Sequence, residues 1–241
     1  MKTFFQELAD HFAFVAVAVL IAAGIVLLSA LIQKYFCKDM PKRRGPRYLA
    51  YTALFSALAA VLMMLEIPLF FAPGFYKLDF SEVPVLICAF YLGPVAGVLS
   101  EFLKLLLFLC LHGTTSAFVG EFANFVIGCT MMLPASALYH RHRSKKTALS
   151  GMIVGTFVMT AAGSLFNAWY LLPKFAELYG MPLDAIVAMG TAVNGAITDV
   201  GTLVLFAVVP FNLLKGVLLT VITFFLYKRL SPLLSRGSFS G

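Results

Sequence analysis

Apolar residues run in long stretches along this chain, interrupted by short basic clusters and by loops rich in Pro, Gly and aromatic residues. Seven stretches stand out: 12–32, 48–67, 83–92, 95–111, 118–139, 148–172 and 203–227. A run of about 20 apolar residues has the length that crosses a bilayer. All but 83–92 therefore predict spanning helices. Residues 12–32 are too long for a signal-peptide core and are followed by Lys34, Lys38, Lys42, Arg43, Arg44 and Arg47 rather than by a small-residue cleavage site, which predicts a retained helix.

The basic clusters set the orientation. Lys and Arg accumulate on the cytoplasmic side of membrane proteins, so 34–47 reads as a cytoplasmic linker, with the N-terminus external. The cluster His140, Arg141, His142, Arg143, Lys145 and Lys146 reads as a second cytoplasmic loop. The loop 68–82 is then external, and an odd number of passes must separate it from His140. Gly93-Pro94 and His112-Gly113-Thr114-Thr115 divide that interval into three segments, so the short stretch 83–92 must count as a pass. Such a segment is tolerated at membrane depth where protein surrounds it or where it lines a cavity, which points to a binding site nearby. The last span ends at Lys228 and Arg229, which puts the C-terminus in the cytoplasm. Residues 173–201, with Glu177, Asp184, Asn194 and Asp199 among apolar neighbours, read as a partly inserted external cap.

Composition agrees: 61% of the 241 residues are apolar, 12% are charged, and mean hydropathy is +0.94. The net charge of +7 lies between the spans, as topology signals do, and not on an aromatic-interleaved surface suited to nucleic acid. Cys37, Cys88, Cys110 and Cys129 have no Cys-x-x-Cys spacing, and the four histidines form no helix-facing pair, so neither metal nor haem is expected. The chain has no phosphate-binding Gly-x-x-x-x-Gly-Lys-Ser/Thr loop, zinc signature or nucleophile elbow. It is therefore not itself an ATPase, and an enzyme reading has little support.

What remains is a small set of polar groups in apolar surroundings. Lys215 stands in Pro210-Phe211-Asn212-Leu213-Leu214-Lys215-Gly216, where an ammonium costs roughly 2.5 to 3.5 kcal/mol on insertion scales and calls for a polar partner or a watery cavity. Asn212, three residues earlier, projects from the same helical face. Asp79 belongs to the external string Tyr76-Lys77-Leu78-Asp79-Phe80-Ser81-Glu82-Val83-Pro84, in which Ser81 reads as an N-cap and Pro84 as an early helix residue. Glu101 and Lys104 form an i,i+3 pair best read as structural. Glu121 and Asn124 lie one turn apart, equally suited to structural satisfaction and to ligand contact. Asn167 precedes Trp169 and Tyr170, an interfacial belt pair. Ala53 and Ala57, like Ser56 and Ala60, have the small-x-x-x-small spacing that permits close helix approach.

The strings Leu78-Asp79-Phe80-Ser81-Glu82-Val83-Pro84, Gly93-Pro94-Val95-Ala96-Gly97-Val98, Gly120-Glu121-Phe122-Ala123-Asn124-Phe125, Asn167-Ala168-Trp169-Tyr170-Leu171-Leu172-Pro173 and Pro210 to Gly216 occur in one order over about four-fifths of the chain. In these the chain resembles the substrate-binding S components of energy-coupling factor (ECF) vitamin importers, and most closely their riboflavin-binding branch. The resemblance implies an all-α integral membrane bundle of six transmembrane helices over residues 48–230, to which this chain adds an N-terminal transmembrane helix (1–33), the linker 34–47 and a cytoplasmic tail (231–241). It implies capture of riboflavin at the external side and partnership with a transmembrane coupling subunit and two cytoplasmic ATPases, with no cofactor. Asn167, Asn212 and Lys215 match positions that hydrogen-bond the flavin. Asp79 is expected in a lid, Phe80, Trp169 and Phe211 as stacking partners, Glu121 and Asn124 as further ligand contacts, and Ala53 and Ala57 as the docking face for the coupling subunit. Another vitamin as ligand, a membrane-embedded enzyme using Glu101, Glu121 or Asp199, and a ligand-free structural subunit are the alternatives.

Overall fold

The computed structural model describes residues 4–37, 45–114, 116 and 118–236. The basic linker falls largely outside the described residues, as do Thr115 and the end of the tail. Helix α1 (Phe4–Phe36) is followed by α2 (Pro46–Met63), a two-residue antiparallel pair β1 (Ile67–Pro68) and β2 (Lys77–Leu78), and α3 (Glu82–Leu92). Then come α4 (Pro94–His112), α5 (Val119–His142) and α6 (Lys145–Phe166). Among the described residues six helical stretches are long and apolar enough to cross a membrane, and α3 is the shorter seventh.

Helix α3 is short and enclosed by the rest of the bundle. Ten of them, Glu82 to Phe90 and Leu92, are buried, so its sides meet protein and not lipid. Gly93 ends α3 at φ 100°, a conformation that costs glycine nothing, and Pro94 starts α4 in the first turn, where a missing N–H is harmless. Ser81 precedes α3 but makes no side-chain cap; its hydroxyl binds Asp79 instead. The capping expected there is replaced by a polar tie to the loop.

Helix α6 does not stop at Pro173. It passes through a π turn (Asn167–Leu171) into α7 (Leu172–Leu178). The second such passage joins α9 (Val200–Leu203) through a π turn (Val204–Val208) to α10 (Val209–Arg236). In both, a proline lies two residues beyond the wide turn, Pro173 and Pro210. A proline cannot donate to the carbonyl four residues back and its ring crowds that carbonyl. A locally widened turn absorbs both effects, and such turns recur at functional sites. Between them, α8 (Leu183–Thr191) and the capping box of Asp199 and Thr202 give regular structure to the segment expected as a cap.

Among the described residues two main apolar cores form, with a third, small cluster of Val119, Ala123 and Leu171. The larger lies among α2 to α6 and α10, with Leu86, Cys88, Ala89, Met131, Met132 and Met152 fully buried. The smaller joins Ala72 and Leu78 of the β1–β2 loop to Leu172, Ile186, Ile197, Leu203 and Phe211. Close helix contact is set by glycines: a Cβ on Gly155 would lie 2.4 Å from the Met131 carbonyl oxygen. Helix α1 packs against α4 and α5, with the Gln33 side chain accepting the Val95 N–H at 3.2 Å and Phe14 edge-on to Phe122, while most of its span faces outward. Those exposed apolar faces are what a hydrocarbon phase covers.

Candidate functional site

A cavity of about 350 Å³ opens where α2, α4 and α6 end and α5 and α10 begin, between the two cores. Its size is that of small-molecule sites. Asp79, Glu121, Asn124, Asn167, Phe211, Asn212 and Lys215, spread over 137 residues of sequence, all line it.

Lys215 is buried and its ammonium donates to Asp79 Oδ2 at 2.9 Å. An ammonium has three N–H groups, so this bond leaves two for other acceptors. Asp79 also accepts the Ser81 backbone N–H at 2.9 Å and the Ser81 hydroxyl. Burial alone raises the Asp79 pKa; the Lys215 and Lys104 ammonium groups and the Ser81 hydroxyl outweigh it and hold the carboxyl at about 2. Asp79 of the β1–β2 loop region and Lys215, the cation in the last apolar run, are thus one ion pair.

Asn212 is 3% exposed, and its Nδ2 has no hydrogen-bond partner among the described residues. An unpaired buried amide costs about 1 to 3 kcal/mol, so this donor is suited to an acceptor within the cavity. Asn167 is more fully engaged: Oδ1 accepts the Tyr76 hydroxyl at 2.7 Å and Nδ2 donates to the Gly163 carbonyl at 2.8 Å, leaving one N–H. Glu121 Oε2 accepts from Ser116 Oγ at 2.8 Å, and Asn124 Oδ1 accepts from Lys104 Nζ at 2.8 Å. The aromatic wall is Phe211, Tyr76 at 5.5 Å between ring centroids, and Phe75 beside Tyr76. Lys77 pairs with Glu66 at the mouth, and His112 lies stacked on Phe108.

Two expected stacking partners lie elsewhere. Trp169 is 79% exposed and does not line the cavity. Two positions along a helix reverse the direction of the side chain, so with Asn167 turned inward Trp169 points outward. Phe80 packs against both cores instead of lining the cavity, because its neighbour Asp79 faces Lys215. Tyr76, Phe75, Phe175 and Tyr179 supply the aromatic surface that was assigned to them. Only Tyr76 stood in a string singled out from the sequence; its aromatic side chain next to charged residues in a Pro-rich loop was the available signal.

On α2, Ala53 and Ala57 are exposed, whereas Ser56 and Ala60 are buried, with Ser56 Oγ 3.1 Å from Ser100 Oγ of α4. The two small-residue pairs therefore face opposite ways, one into the bundle and one outward.

Comparison with known proteins gives a consistent picture. The family described as "ECF transporter, substrate-specific component" matches residues 47–227. The chain is 37% identical over 185 residues to the riboflavin transporter RibU of Staphylococcus aureus, covering 76% of this chain and 90% of that protein. It is 31% identical to the riboflavin transporter FmnP of Bacillus subtilis, with 76% and 92% covered. A solved structure, "Structure and mechanism of the S component of a bacterial ECF transporter", superposes with a TM-score of 0.62 at 34% identity, covering 78% of this chain and 97% of the other. Helix α1 lies outside the family match.

Proposed function

The chain belongs to the substrate-specific S components of ECF transporters, and from that premise we propose that its ligand is riboflavin, captured at the cavity beside Lys215 and released toward the cytoplasm with the help of a coupling subunit and two ATPases. It is a multi-pass membrane protein and a non-catalytic binding subunit.

The observation that carries the proposal is the pairing of unspent donors with an aromatic wall. The isoalloxazine edge presents carbonyl oxygens and ring nitrogens, which are acceptors. Asn212 Nδ2 and the two remaining N–H groups of Lys215 are donors that lie one helical turn apart on α10. Phe211 and Tyr76 offer apolar surface to the ring face. Glu121, Asn124 and Asn167 line the same cavity, and in this reading they take the polar groups of the ribityl chain. Asp79 holds the Lys215 ammonium in one position, so binding loses little conformational entropy at that side chain.

Orientation follows from the basic clusters: the cavity end of the bundle is the external one, and His140 to Lys146 is at the opposite end. The coupling subunit docks on the outward Ala53 and Ala57 of α2. Helix α1 packs on α4 and α5 and leaves that face uncovered. The proposal is tested by purifying the full chain from riboflavin-supplemented cells. A yellow protein with one flavin per chain is expected; a colourless protein that also takes up no added riboflavin contradicts it.

A further inference from the structure

Beyond the cavity, α3, α4 and α5 enclose a charge cluster that ligand capture does not require. Lys104 of α4 is fully buried, and its three N–H groups are shared among four acceptors within hydrogen-bond distance: Glu82 Oε1 at 3.0 Å, Glu101 Oε1, Asn124 Oδ1 at 2.8 Å and Ser81 Oγ at 3.2 Å. Glu82 and Glu101 are themselves 1% and 0% exposed. Each keeps one carboxylate oxygen, Oε2, without a partner among the described residues.

The two carboxylates meet over Gly128 of α5. A Cβ placed there would be 2.7 Å from Glu101 Oε1 and 2.7 Å from both oxygens of Glu82. Atoms each 2.7 Å from one point are at most 5.4 Å apart, so the carboxylates are neighbours, and the missing side chain is the space they occupy. The titratable groups around the pair are Lys104 on α4, Cys129 on α5, and, through Ser81, Asp79 of the loop with Lys215 of α10. Three carboxylates thus face two ammonium groups. With all ionised, one negative charge is left uncompensated beside Glu82 and Glu101, which are themselves shut away from solvent, and an unpaired buried charge is strongly unfavourable. Two like charges at this spacing resolve the excess by sharing a proton.

We propose that Glu82 and Glu101 form a buried proton-binding site, one carboxyl donating its O–H to the other carboxylate, so that the five-group cluster is neutral. The proton is taken from bulk water as the chain folds; a carboxylate becomes a carboxylic acid and nothing else changes. The neutral cluster holds Lys104, which in turn holds Ser81, the residue that ties Asp79 in place beside Lys215. The site therefore acts as a fixed anchor for the loop that borders the cavity, and its existence does not depend on which ligand the cavity takes.

The test uses infrared spectroscopy and thermal unfolding of the detergent-purified full chain at neutral pH, with no flavin added. The wild-type spectrum is expected to contain the carbonyl stretch of an un-ionised carboxyl group, and that band is expected to vanish in Glu101→Gln and equally in Glu82→Gln, since either substitution removes the need for the proton. Both single variants are expected to unfold near the wild-type temperature, whereas Glu82→Gln with Glu101→Gln, which strands an ammonium, unfolds well below it. A wild-type spectrum indistinguishable from those of the single variants overturns the proposal, because it means that two bare carboxylates flank Lys104. Single variants as unstable as the double one overturn it as well. Where the double variant fails to fold, the infrared comparison of the single variants decides alone.

Discussion

Asp79 and Lys215 are 136 residues apart in sequence and 2.9 Å apart in space, and breaking the pair from its two sides has unequal consequences. Unit charges at 2.9 Å attract by about 6 kcal/mol at an effective dielectric constant near 20. Most of that gain is offset by desolvation of both ions, so the pair as a whole contributes little, but the loss of one partner strands the other. Asp79→Asn leaves the Lys215 ammonium with no carboxylate among its described contacts, and the expected loss is about 3 to 5 kcal/mol. Lys215→Met leaves a carboxylate that still accepts two bonds from Ser81, so the loss is smaller, about 1 to 3 kcal/mol. The double variant Asp79→Asn with Lys215→Met removes both charges and is expected to unfold above Asp79→Asn alone. Thermal unfolding of the detergent-solubilised chain, followed by circular dichroism, measures all four proteins. Strictly additive effects, within the roughly 0.5 kcal/mol that independent sites show, refute the account, as does a Lys215→Met variant less stable than Asp79→Asn.

Three further outcomes follow from the same geometry. Asp79, held at about 2 against an ordinary 3.8, contributes stability that is fully present above its ordinary pKa and is lost as pH falls through 2; at about 1.4 kcal/mol per pH unit this is on the order of 2 kcal/mol. Unfolding measured between neutral pH and pH about 2 should show that loss in the wild type and not in Asp79→Asn, and equal acid losses in the two contradict the assignment. Asn212→Ala removes a donor that none of the described residues uses, so riboflavin affinity should fall by roughly 5- to 150-fold, equivalent to about 1 to 3 kcal/mol, with little change in unfolding temperature; a stability loss with unchanged affinity reverses the interpretation. Gly155→Ala must push α5 from α6, since its Cβ would lie 2.4 Å from the Met131 carbonyl, and should cost about 1 to 3 kcal/mol, whereas Gly24→Ala on the outward part of α1 meets nothing within 4 Å and should leave unfolding unchanged.

The helix plan was legible because hydrocarbon thickness and charge bias act on local sequence. Parity of the basic clusters alone made 83–92 count as a pass in the sequence; what the structure adds is that α3, a helix of eleven residues, is enclosed by protein. Lys215 was legible as an anomaly for the same reason: an ammonium in an apolar run needs a partner wherever the chain goes. Its identity as Asp79's partner was not legible, since nothing local encodes a contact across 136 residues. Only half of the Lys104 cluster was visible, because Glu101 is one turn away whereas Glu82 is on another helix. Trp169 points outward because Asn167, two positions earlier, points inward; helical spacing says that only one of the two can line the cavity, and packing across the bundle decides which. Tyr76 reaches Asn167 through the β1–β2 loop, whose two-residue pairing has no pattern long enough to read.

The central claim is that α10 presents unspent donors to a flavin beside an aromatic wall. The most direct measurement is titration of riboflavin into flavin-stripped, detergent-purified chain while flavin fluorescence is followed, in the wild type and in Asn212→Ala. The account predicts quenching that saturates at one riboflavin per chain, with markedly weaker binding in the variant. Unchanged flavin fluorescence in the wild type, or equal affinity in the two proteins, contradicts it.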